Sequence, residues 1–398
     1  MEEPFVKPLA IVKTLLANGH EAYFVGGSVR DLLLHRDIGD IDIATSALPS
    51  EVQKLFSKTI DVGAVHGTII VVYDGTPFEV TTFRSEDNYK DFRRPDQVNF
   101  ILSLEEDLKR RDFTMNAIAM SVEGKFIDPF NGKEAIERKL IQTVGNPYER
   151  FKEDALRMFR AVRFVSQLGF VIVEETKAAI KEYSYLLEHV SVERITVEFE
   201  KLMFGRYTEQ ALELLTQTDI YKCLPGLQDK RDKLTKSGSY HWNSLKEKSE
   251  YWTLLLSVLE VRDSATFLKK WKLPNKLINQ VNYNLNGIEK VKDHGWSTLL
   301  LYGLGIESSV QIQRIISILS KEDPETKIKE IEEIYENLPI KQRSELAING
   351  QDLLVWSNKT PGPWIAKVIE EVEEEVLLGK VENDKEGIKE WLLHCNLL

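Results

Sequence analysis

The apolar residues of the chain follow two different patterns on either side of Pro147. Before Pro147, short apolar and β-branched runs are interleaved with segments of helical spacing, and the turn Asp74-Gly75 joins two such runs as an antiparallel hairpin. After Pro147, strand signals nearly vanish and apolar residues recur at helical spacing as far as the C-terminus. The sequence therefore predicts an α+β fold, in which a mixed sheet carrying helices precedes an all-helical remainder.

Individual elements can be placed within this division. We expect strands at Ala22–Val25, Ile41–Thr45, Thr68–Tyr73 and Pro77–Phe83. We expect helices at Lys7–Ala17, Ser28–Leu34, Pro49–Phe56, Thr114–Met120, Glu149–Leu168, Val171–Glu188, Val192–Phe204 and Glu209–Thr216. The charged segment Arg84–Pro95 is poor in aliphatic residues, and we interpret it as a mobile loop that acts as a lever during the reaction.

Composition excludes several classes of protein. No apolar run approaches the roughly 18 residues of a membrane helix, and the N-terminus has no secretory pattern. The only cysteines, Cys223 and Cys395, are too few for a disulfide framework or a CxxC zinc site, which fits a reducing cytoplasm. The net charge of −11 argues mildly against a nucleic-acid partner, but the acidic excess lies mainly outside Arg84–Arg163. We therefore expect a cytoplasmic protein without a membrane partner.

Two glycines, Gly26 and Gly27, stand between a predicted strand and a predicted helix. Glycine at such a turn lets the main chain approach a phosphate closely, and the helix N-terminus offers free N–H groups. Arg30 lies near the start of the same helix and can pair with phosphate oxygens. We interpret Gly27 and Arg30 as part of a nucleotide-binding site.

The pair Asp40 and Asp42 follows this turn. Residues two apart on a strand point to one face, so both carboxylates are expected to converge. Hard oxygen ligands suit Mg²⁺, which also binds triphosphate oxygens, and Glu79 on a neighbouring strand is a candidate third carboxylate. The sequence thus predicts catalytic residues Asp40, Asp42 and Glu79, with Asp40 and Asp42 as metal ligands for a two-metal attack by a hydroxyl on a nucleotide.

A second constellation lies on the helix predicted after Pro147. Its polar members recur every three positions, at Asp154, Arg157, Arg160 and Arg163. Cytosine and adenine both present an amino donor beside a ring-nitrogen acceptor, whereas guanine and uracil present the reverse. A carboxylate at Asp154 and a guanidinium at Arg157 would therefore accept C and A and reject G and U. Arg160 and Arg163 would hold phosphates or the pocket wall.

Between the two constellations, Arg111 precedes a predicted helix and is a candidate for binding the triphosphate, while Asn116 is a candidate for contacting the ribose.

Other catalytic chemistries have little support in the sequence. The histidines show no HExxH spacing, and neither a Gly-x-Ser-x-Gly pattern nor a P-loop is present. The candidate site thus consists of carboxylates, arginines and a glycine turn.

These motifs resemble the class II CCA-adding enzymes, or tRNA nucleotidyltransferases, of the polymerase-beta-like superfamily, and in particular their Bacillus-type branch. The likeness covers nearly the whole chain in order. It is carried by Gly26–Asp31 with Asp40-Ile41-Asp42, by Arg110–Ala117, by Glu153-Asp154-x-x-Arg157, and by Ile348–Leu353 with Gly362-Pro363. One departure from the family pattern is His35, which stands before the turn to Asp40 where the family usually has glycine.

The resemblance implies a nucleotidyltransferase head at residues 1–148, a helical neck with the base-reading motif at 149–200, a helical body at 201–275 and a tRNA-binding tail at 276–398. It implies addition of C, C and A to transfer RNA whose 3′-CCA is missing or incomplete. CTP and ATP would be the substrates, Mg²⁺ the cofactor and pyrophosphate the product. A homodimer is left open.

Four alternatives remain at this point. A bacterial poly(A) polymerase shares the head and neck, and a partial enzyme adds only CC or only A. The intact Arg84–Pro95 segment favours full CCA addition, because CC-adding members tend to lack it. A non-catalytic RNA-binding protein would not need the acidic residues, and a transferase acting on a small molecule would not need the long helical arm.

Overall fold

The computed structural model describes residues 3–90, 94–357 and 359–398, which form two compact units. The first unit runs to Ser239 and includes Lys270–Lys272. The second comprises Tyr240–Lys269 and Leu273–Leu398. The first unit contains the strands and the second is helical, which confirms the predicted mixed-sheet head and helical remainder. The finer division into head, neck, body and tail stays a prediction.

The strands of the first unit build one large sheet and two small ones within the described ranges. They are β1 (Ala22–Val25), β2 (Asp42–Thr45), β3 (Thr59–Gly63), β4 (Thr68–Tyr73), β5 (Thr76–Thr82), β6 (Arg84–Lys90), β7 (Arg94–Phe100), β8 (Ala119–Met120), β9 (Phe126–Ile127), β10 (Leu140–Ile141) and β11 (Val171–Ile172). The large sheet has the order β3-β4-β5-β2-β1-β8-β9, while β6 pairs with β7 and β10 with β11.

The predicted hairpin of β4 and β5 is present. Its turn residues Asp74 and Gly75 both have positive φ, 47° and 74°, as a tight two-residue hairpin turn requires. The strand β5 also pairs in parallel with β2, which makes the sheet mixed. In that register Asp42 stands opposite Glu79, so the sheet itself brings these two acidic residues side by side.

The helices of the first unit cover the sheet and continue beyond it. They are α1 (Val6–Ala17), α2 (Gly27–Leu33), α3 (Pro49–Leu55), α4 (Leu104–Lys109), α5 (Gly132–Glu137), α6 (Pro147–Glu153), α7 (Leu156–Leu168), α8 (Glu174–Tyr183), α9 (Val192–Met203), α10 (Thr208–Gln217) and α11 (Arg231–Ser237). The start of α6 is fixed by Pro147 at its first position and by Asn146, whose side chain accepts from the Tyr148 N–H. A core formed by Val25, Ala44, Phe83, Leu108 and Ala119 joins α4 to the sheet.

The second unit packs its helices around a core that includes Leu353, Val372, Val376 and Ile388, each fully buried. Its helices are α12 (Lys248–Leu259), α13 (Ser264–Lys270), α14 (Asn275–His294), α15 (Thr298–Leu304), α16 (Ile306–Ser320), α17 (Pro324–Glu336), α18 (Gly350–Ser357), α19 (Trp364–Leu377) and α20 (Lys385–His394). Among the helices that the structure describes, none has the length and apolarity to cross a membrane.

The helix predicted at Thr114–Met120 is wrong. The chain makes a single 3₁₀ turn at Thr114–Asn116 and then enters β8, which pairs with β1. Every residue from Phe113 to Met120 is buried, so the segment has no polar face whose spacing would separate a helix from a strand. The helix prediction is wrong because a segment that is buried on every side shows no periodic pattern of polar and apolar residues.

Two further predictions in this region are wrong. The helix predicted at Glu149–Leu168 is broken, because α6 ends at Glu153 and Asp154 adopts an extended conformation before α7. The side chain of Asp154 accepts from the Leu156 N–H at 3.1 Å, so it competes with the helical main chain and favours the break. The loop predicted at Arg84–Pro95 is also wrong, because its described main chain forms β6 and the beginning of β7; the lever role stays a prediction.

The segment predicted as one helix at Val171–Glu188 is likewise composite. It begins with the short strand β11, which pairs with β10, continues as α8, and ends in a 3₁₀ helix at Ser184–His189. The other predicted helices agree with the structure to within one residue at each end.

Candidate active site

One cavity in the first unit gathers most of the predicted site residues. Its volume is about 580 Å³. It is lined by Gly26, Gly27, Ser28, Arg30, Asp31, Gly39, Asp40, Asp42, Arg110, Arg111, Asp112, Asn116, Asp154, Arg157, Arg160, Arg163, Phe164 and Lys201. The metal-site and base-reading constellations, more than a hundred residues apart in sequence, therefore face the same space. Glu79 is the exception, since it does not line this cavity.

The glycine turn at the cavity edge is closely packed against charged groups. Gly26 has a φ of 74°, and a Cβ atom there would stand 3.0 Å from Arg111 Nη1 and 3.5 Å from Asp42 Oδ2. Only glycine combines this main-chain conformation with so close an approach. The turn thus lets one arginine and one carboxylate both approach the main chain closely just before α2.

The acidic residues Asp40, Asp42 and Glu79 form a group that Arg111 compensates only in part. Asp40 is exposed in the loop before β2, Ile41 is buried, and Asp42 is half-buried at the first position of the strand. Burial, and then the neighbouring Glu79 carboxylate, raise the pKa of Asp42 to about 6; Arg111 opposes this rise and Asp40 adds to it. The ionised form of Asp42 is therefore disfavoured beside two further carboxylates, and the three together are a set of hard oxygen donors suited to a divalent cation.

The acidic group does not form a closed metal cage. Within the described ranges, no cluster of three His, Cys, Asp or Glu side chains is gathered closely enough to enclose an ion. An open arrangement suits Mg²⁺, which usually keeps several waters and binds through one or two carboxylates plus phosphate oxygens of a substrate. The residues therefore fit a metal that is completed by a bound nucleotide.

The raised pKa of Asp42 predicts a stability effect with a defined sign. A carboxyl whose folded pKa is about 6 and whose unfolded pKa is 3.8 binds more protons when folded, so stability falls as pH rises from about 4 to about 6. Asp42→Asn removes this loss. Without divalent cations, we expect the variant to be more stable than the parent by about 1–2 kcal/mol at pH 7.5 and equal to it near pH 4. Urea unfolding at both pH values checks this, and a variant that is less stable at pH 7.5 would contradict it.

The arginines beside the glycine turn are held by partners on several elements. Arg30 donates to Asn116 Oδ1 at 2.7 Å and pairs with Asp31 at 2.9 Å. Arg111 donates to Asp107 Oδ2 at 3.3 Å, and its buried Nε has no hydrogen-bond partner among the described residues. Both side chains line the cavity with positive charge, and Arg111 also has one donor, Nε, for which the described residues supply no acceptor.

Asp112 is a site residue that the sequence analysis did not assign. It is buried and accepts from the Phe113 N–H at 2.8 Å, from Asn116 Nδ2 at 3.0 Å, and from two nitrogens of Arg160 at 2.8 and 2.7 Å. Although burial alone would raise its pKa, Arg160 and Asn116 hold that pKa well below its usual range. Asp112 thereby fixes both Arg160 and Asn116, and only its position in the Arg110-Arg111-Asp112 run could have indicated it.

The two proposed base readers are each restrained by the protein. Asp154 uses Oδ1 to cap α7 and uses Oδ2 to accept from Arg194 at 3.1 Å. Arg157 is buried and donates to Glu153 at 2.8 Å and to the Arg110 carbonyl oxygen at 2.9 Å. Both line the cavity, so they can reach a base there, but they approach it from a loop and from a helix rather than from one helical stripe.

The remaining arginines form the wall of the cavity. Arg163 is buried, pairs with Glu198 on α9, and stacks over the Phe164 ring at 3.9 Å. Arg160 reaches Asp112 and lies 3.7 Å from Glu198. Each therefore has an anionic partner within the protein, which favours a role in shaping the wall over direct phosphate contact.

Comparison with known proteins gives consistent matches along the chain. A family model described as "Poly A polymerase head domain" matches residues 22–142, one described as "Probable RNA and SrmB- binding site of polymerase A" matches 169–230, and one for tRNA nucleotidyltransferase domain 2 matches 243–392. The chain is 50% identical to the CCA-adding enzyme of Bacillus cytotoxicus, with 99% of each chain covered. It is 51% identical to that of Geobacillus sp., over 100% of this chain and 99% of the relative.

A solved structure is similar along the whole length. The crystal structure of the Bacillus stearothermophilus CCA-adding enzyme in complex with CTP has a TM-score of 0.92 and 45% identity. The match covers 100% of this chain and 98% of the other. Both units of the chain therefore have counterparts in one protein.

Proposed function

The chain belongs to the CCA-adding enzymes, the tRNA nucleotidyltransferases, and on that premise we propose that the cavity around Asp42 and Asp154 is where it adds C, C and A to a tRNA 3′ end. The observation that carries this proposal is the shared cavity itself. An acidic group suited to nucleotidyl transfer and a pair suited to reading C and A face one space large enough for a nucleotide. We propose CTP and ATP as the nucleotides, with tRNA whose CCA is missing or incomplete as the acceptor.

The acidic end of the cavity would perform the chemistry. Nucleotidyltransferases with this head use a divalent metal, and we propose Mg²⁺, held by Asp40 and Asp42. When bound, the metal would lower the pKa of the attacking 3′-hydroxyl and neutralise charge on the leaving pyrophosphate. Glu79, opposite Asp42 on the neighbouring strand β5, would reinforce the negative field that draws the cation in.

The glycine turn and its arginines would hold the triphosphate. The main chain at Gly27 begins α2 and lines the cavity, and the free N–H groups at the start of a helix are favourable partners for phosphate oxygens. Arg111, with an unused buried N–H, and Arg30 would pair with those oxygens. Asn116, oriented by Asp112 and Arg30, would contact the ribose.

The opposite end of the cavity would choose the base. Asp154 accepts hydrogen bonds and Arg157 donates them, so together they match the amino group and ring nitrogen that cytosine and adenine share. Guanine or uracil would place a carbonyl oxygen opposite the Asp154 carboxylate and a ring N–H opposite Arg157. Both protein groups would then be unpaired, at a cost of roughly 1–3 kcal/mol for each group. Selection would therefore need no nucleic-acid template.

The helical remainder would hold the transfer RNA. We propose the division into a head at 1–148, a neck at 149–200, a body at 201–275 and a tail at 276–398, with the RNA contacted through its shape and backbone. The lever role of Arg84–Pro95 is part of the same proposal. A homodimer and a cytoplasmic location stay predictions, which sedimentation and cell fractionation would test.

An incorporation assay tests the proposed function directly. The protein is incubated with tRNA lacking CCA, Mg²⁺, and each NTP alone or in pairs. We expect CMP addition that stops after two residues with CTP alone, and AMP addition only after that, ending at three residues. Continued AMP addition would indicate a poly(A) polymerase, and addition limited to CC or to A would indicate a partial enzyme. The absence of any incorporation would reject the proposal.

A further inference from the structure

Asp107 on α4 is a buried carboxylate that does not line the cavity. It is completely inaccessible to solvent, yet it contacts two residues that do line it. Arg110 donates to Asp107 Oδ1 at 2.9 Å, and Arg111 donates to Oδ2 at 3.3 Å. The Arg84 N–H, at the base of the hairpin of β6 and β7, also donates to Oδ1 at 3.3 Å.

The charge of Asp107 is compensated from three directions. Burial alone would raise its pKa, but Arg110 and Arg111 lower it, and the Arg84 N–H lowers it further. A buried ion is tolerated only when its partners satisfy it, and removing one side of such a pair leaves the other uncompensated. Arg110 and Arg111 are therefore strongly constrained by this one side chain.

Both constrained arginines reach the cavity in a defined way. Arg111 donates to Asp107 through Nη2, and its Nη1 lies at the Gly26 turn. A Cβ atom built on Gly26 would stand only 3.0 Å from this Nη1. The carbonyl oxygen of Arg110 accepts from Arg157 Nη2 at 2.9 Å. Asp107 thus contacts Arg111, a candidate for binding the triphosphate. It also contacts Arg110, whose carbonyl oxygen accepts from the proposed base-reading residue Arg157.

We propose that Asp107 is a positioning residue for nucleotidyl transfer, which orients Arg111 toward the triphosphate and links that orientation to the base of the hairpin. This inference rests on the proposed role of Arg111. The competing explanation is that Asp107 only stabilises the fold. The two differ in a measurable way, because an orienting role affects ligands with a triphosphate far more than ligands without one.

Binding of CTP and of CMP, measured by calorimetry without RNA, separates these explanations. Asp107→Asn keeps the shape and an acceptor for the Arg84 N–H but removes the charge that holds Arg111. We expect CTP affinity to fall about 10-fold, the loss of one charge-assisted hydrogen bond, while CMP affinity changes less than about 3-fold. Glu134→Gln, which removes an exposed ion pair with Arg138 in the same unit, serves as the matched control.

A double variant tests the route of the effect. If Asp107 acts through Arg111, Asp107→Asn combined with Arg111→Gln should lose no more CTP affinity than Arg111→Gln alone. Additive losses, equal losses for CTP and CMP, or unchanged CTP affinity would overturn the inference. If Asp107→Asn does not fold, Asp107→Glu is tested instead, and its loss of CTP affinity is compared with its loss of CMP affinity. Failure of both variants to fold would assign Asp107 a purely structural role.

The same measurements distinguish this inference from the proposed function. If Arg111→Gln leaves the preference for CTP over CMP unchanged, the proposed role of Arg111 fails and the inference fails with it. If Arg111→Gln abolishes that preference but Asp107→Asn does not, only the inference fails. The function itself is judged by incorporation of CMP and AMP by the parent protein from the same preparation.

Discussion

Asp42→Asn is expected to reduce CMP and AMP incorporation by at least about 10³-fold, which corresponds to about 4 kcal/mol of transition-state stabilisation. Asparagine has nearly the same shape but lacks the charge that binds a divalent cation. Its amide also adds no negative charge to the charges of Asp40 and Glu79, so the site attracts a cation less strongly. Single-turnover addition to tRNA lacking CCA, at saturating Mg²⁺ and CTP, measures the effect.

The control for this prediction is Asp74→Asn. Asp74 is an exposed turn residue in the same unit, with a positive φ that asparagine adopts readily. It should leave incorporation within about 2-fold of the parent, because surface changes of this kind rarely exceed 0.5 kcal/mol. If Asp42→Asn retained more than about a tenth of the parent rate, Asp42 would not be a required metal ligand.

Arg157→Ala is expected to reduce the preference for CTP over UTP by about 10- to 100-fold. The reason is that one donor of the base-reading pair is lost, and a well-placed pair of this kind contributes about 1–3 kcal/mol of discrimination. The measurement is the ratio of kcat/KM for the two nucleotides on the same tRNA.

The ratio is chosen because Arg157 also supports the fold. It donates to Glu153 and to the Arg110 carbonyl oxygen, so the variant will be destabilised as well. A smaller folded fraction lowers both rates equally and cancels in the ratio. Arg138→Ala, which removes an exposed ion pair, should leave the ratio unchanged. An unchanged ratio for Arg157→Ala would remove the base-reading model.

The same charge at Asp42 links activity to stability. It is expected to be indispensable for the reaction, yet above about pH 6 it destabilises the fold in the absence of a cation. Mg²⁺ should therefore raise the stability of the parent more at pH 7.5 than at pH 5, because the ligand must be ionised to bind. Asp42→Asn should show almost none of this gain. A site in which one substitution increases stability and removes activity is a common trade-off.

The parts of this site that sequence reasoning could predict are those that depend on local spacing. The turn at Gly26 and Gly27 is a contiguous pattern, and the structure places it between β1 and α2 as predicted. Asp40 and Asp42 line the cavity together, but only Asp42 lies on β2, so the expectation that both stand on one strand is wrong for Asp40. The likeness of the motifs to a known family was also sufficient to identify the chain, since full-length relatives are about half identical.

The parts that could not be predicted depend on contacts made across the fold. The break at Asp154 arises because its side chain caps α7 and pairs with Arg194, which is 40 residues further along the chain. Likewise, Asp112 and Asp107 become important only because the fold buries them beside arginines. In the sequence Asp107 is one of several acidic residues in a charged segment, and Asp112 is marked only by its position directly after Arg110 and Arg111.

The most direct test of this account is to locate divalent ions and the base at the same time. A crystal grown with Mn²⁺ and a non-hydrolysable CTP analogue would show the metal by its anomalous scattering. The account predicts a peak within about 2.5 Å of carboxylate oxygens of Asp40 and Asp42, with the cytosine amino group facing Asp154 and its ring nitrogen facing Arg157. A metal bound elsewhere, or a base that contacts neither Asp154 nor Arg157, would contradict it.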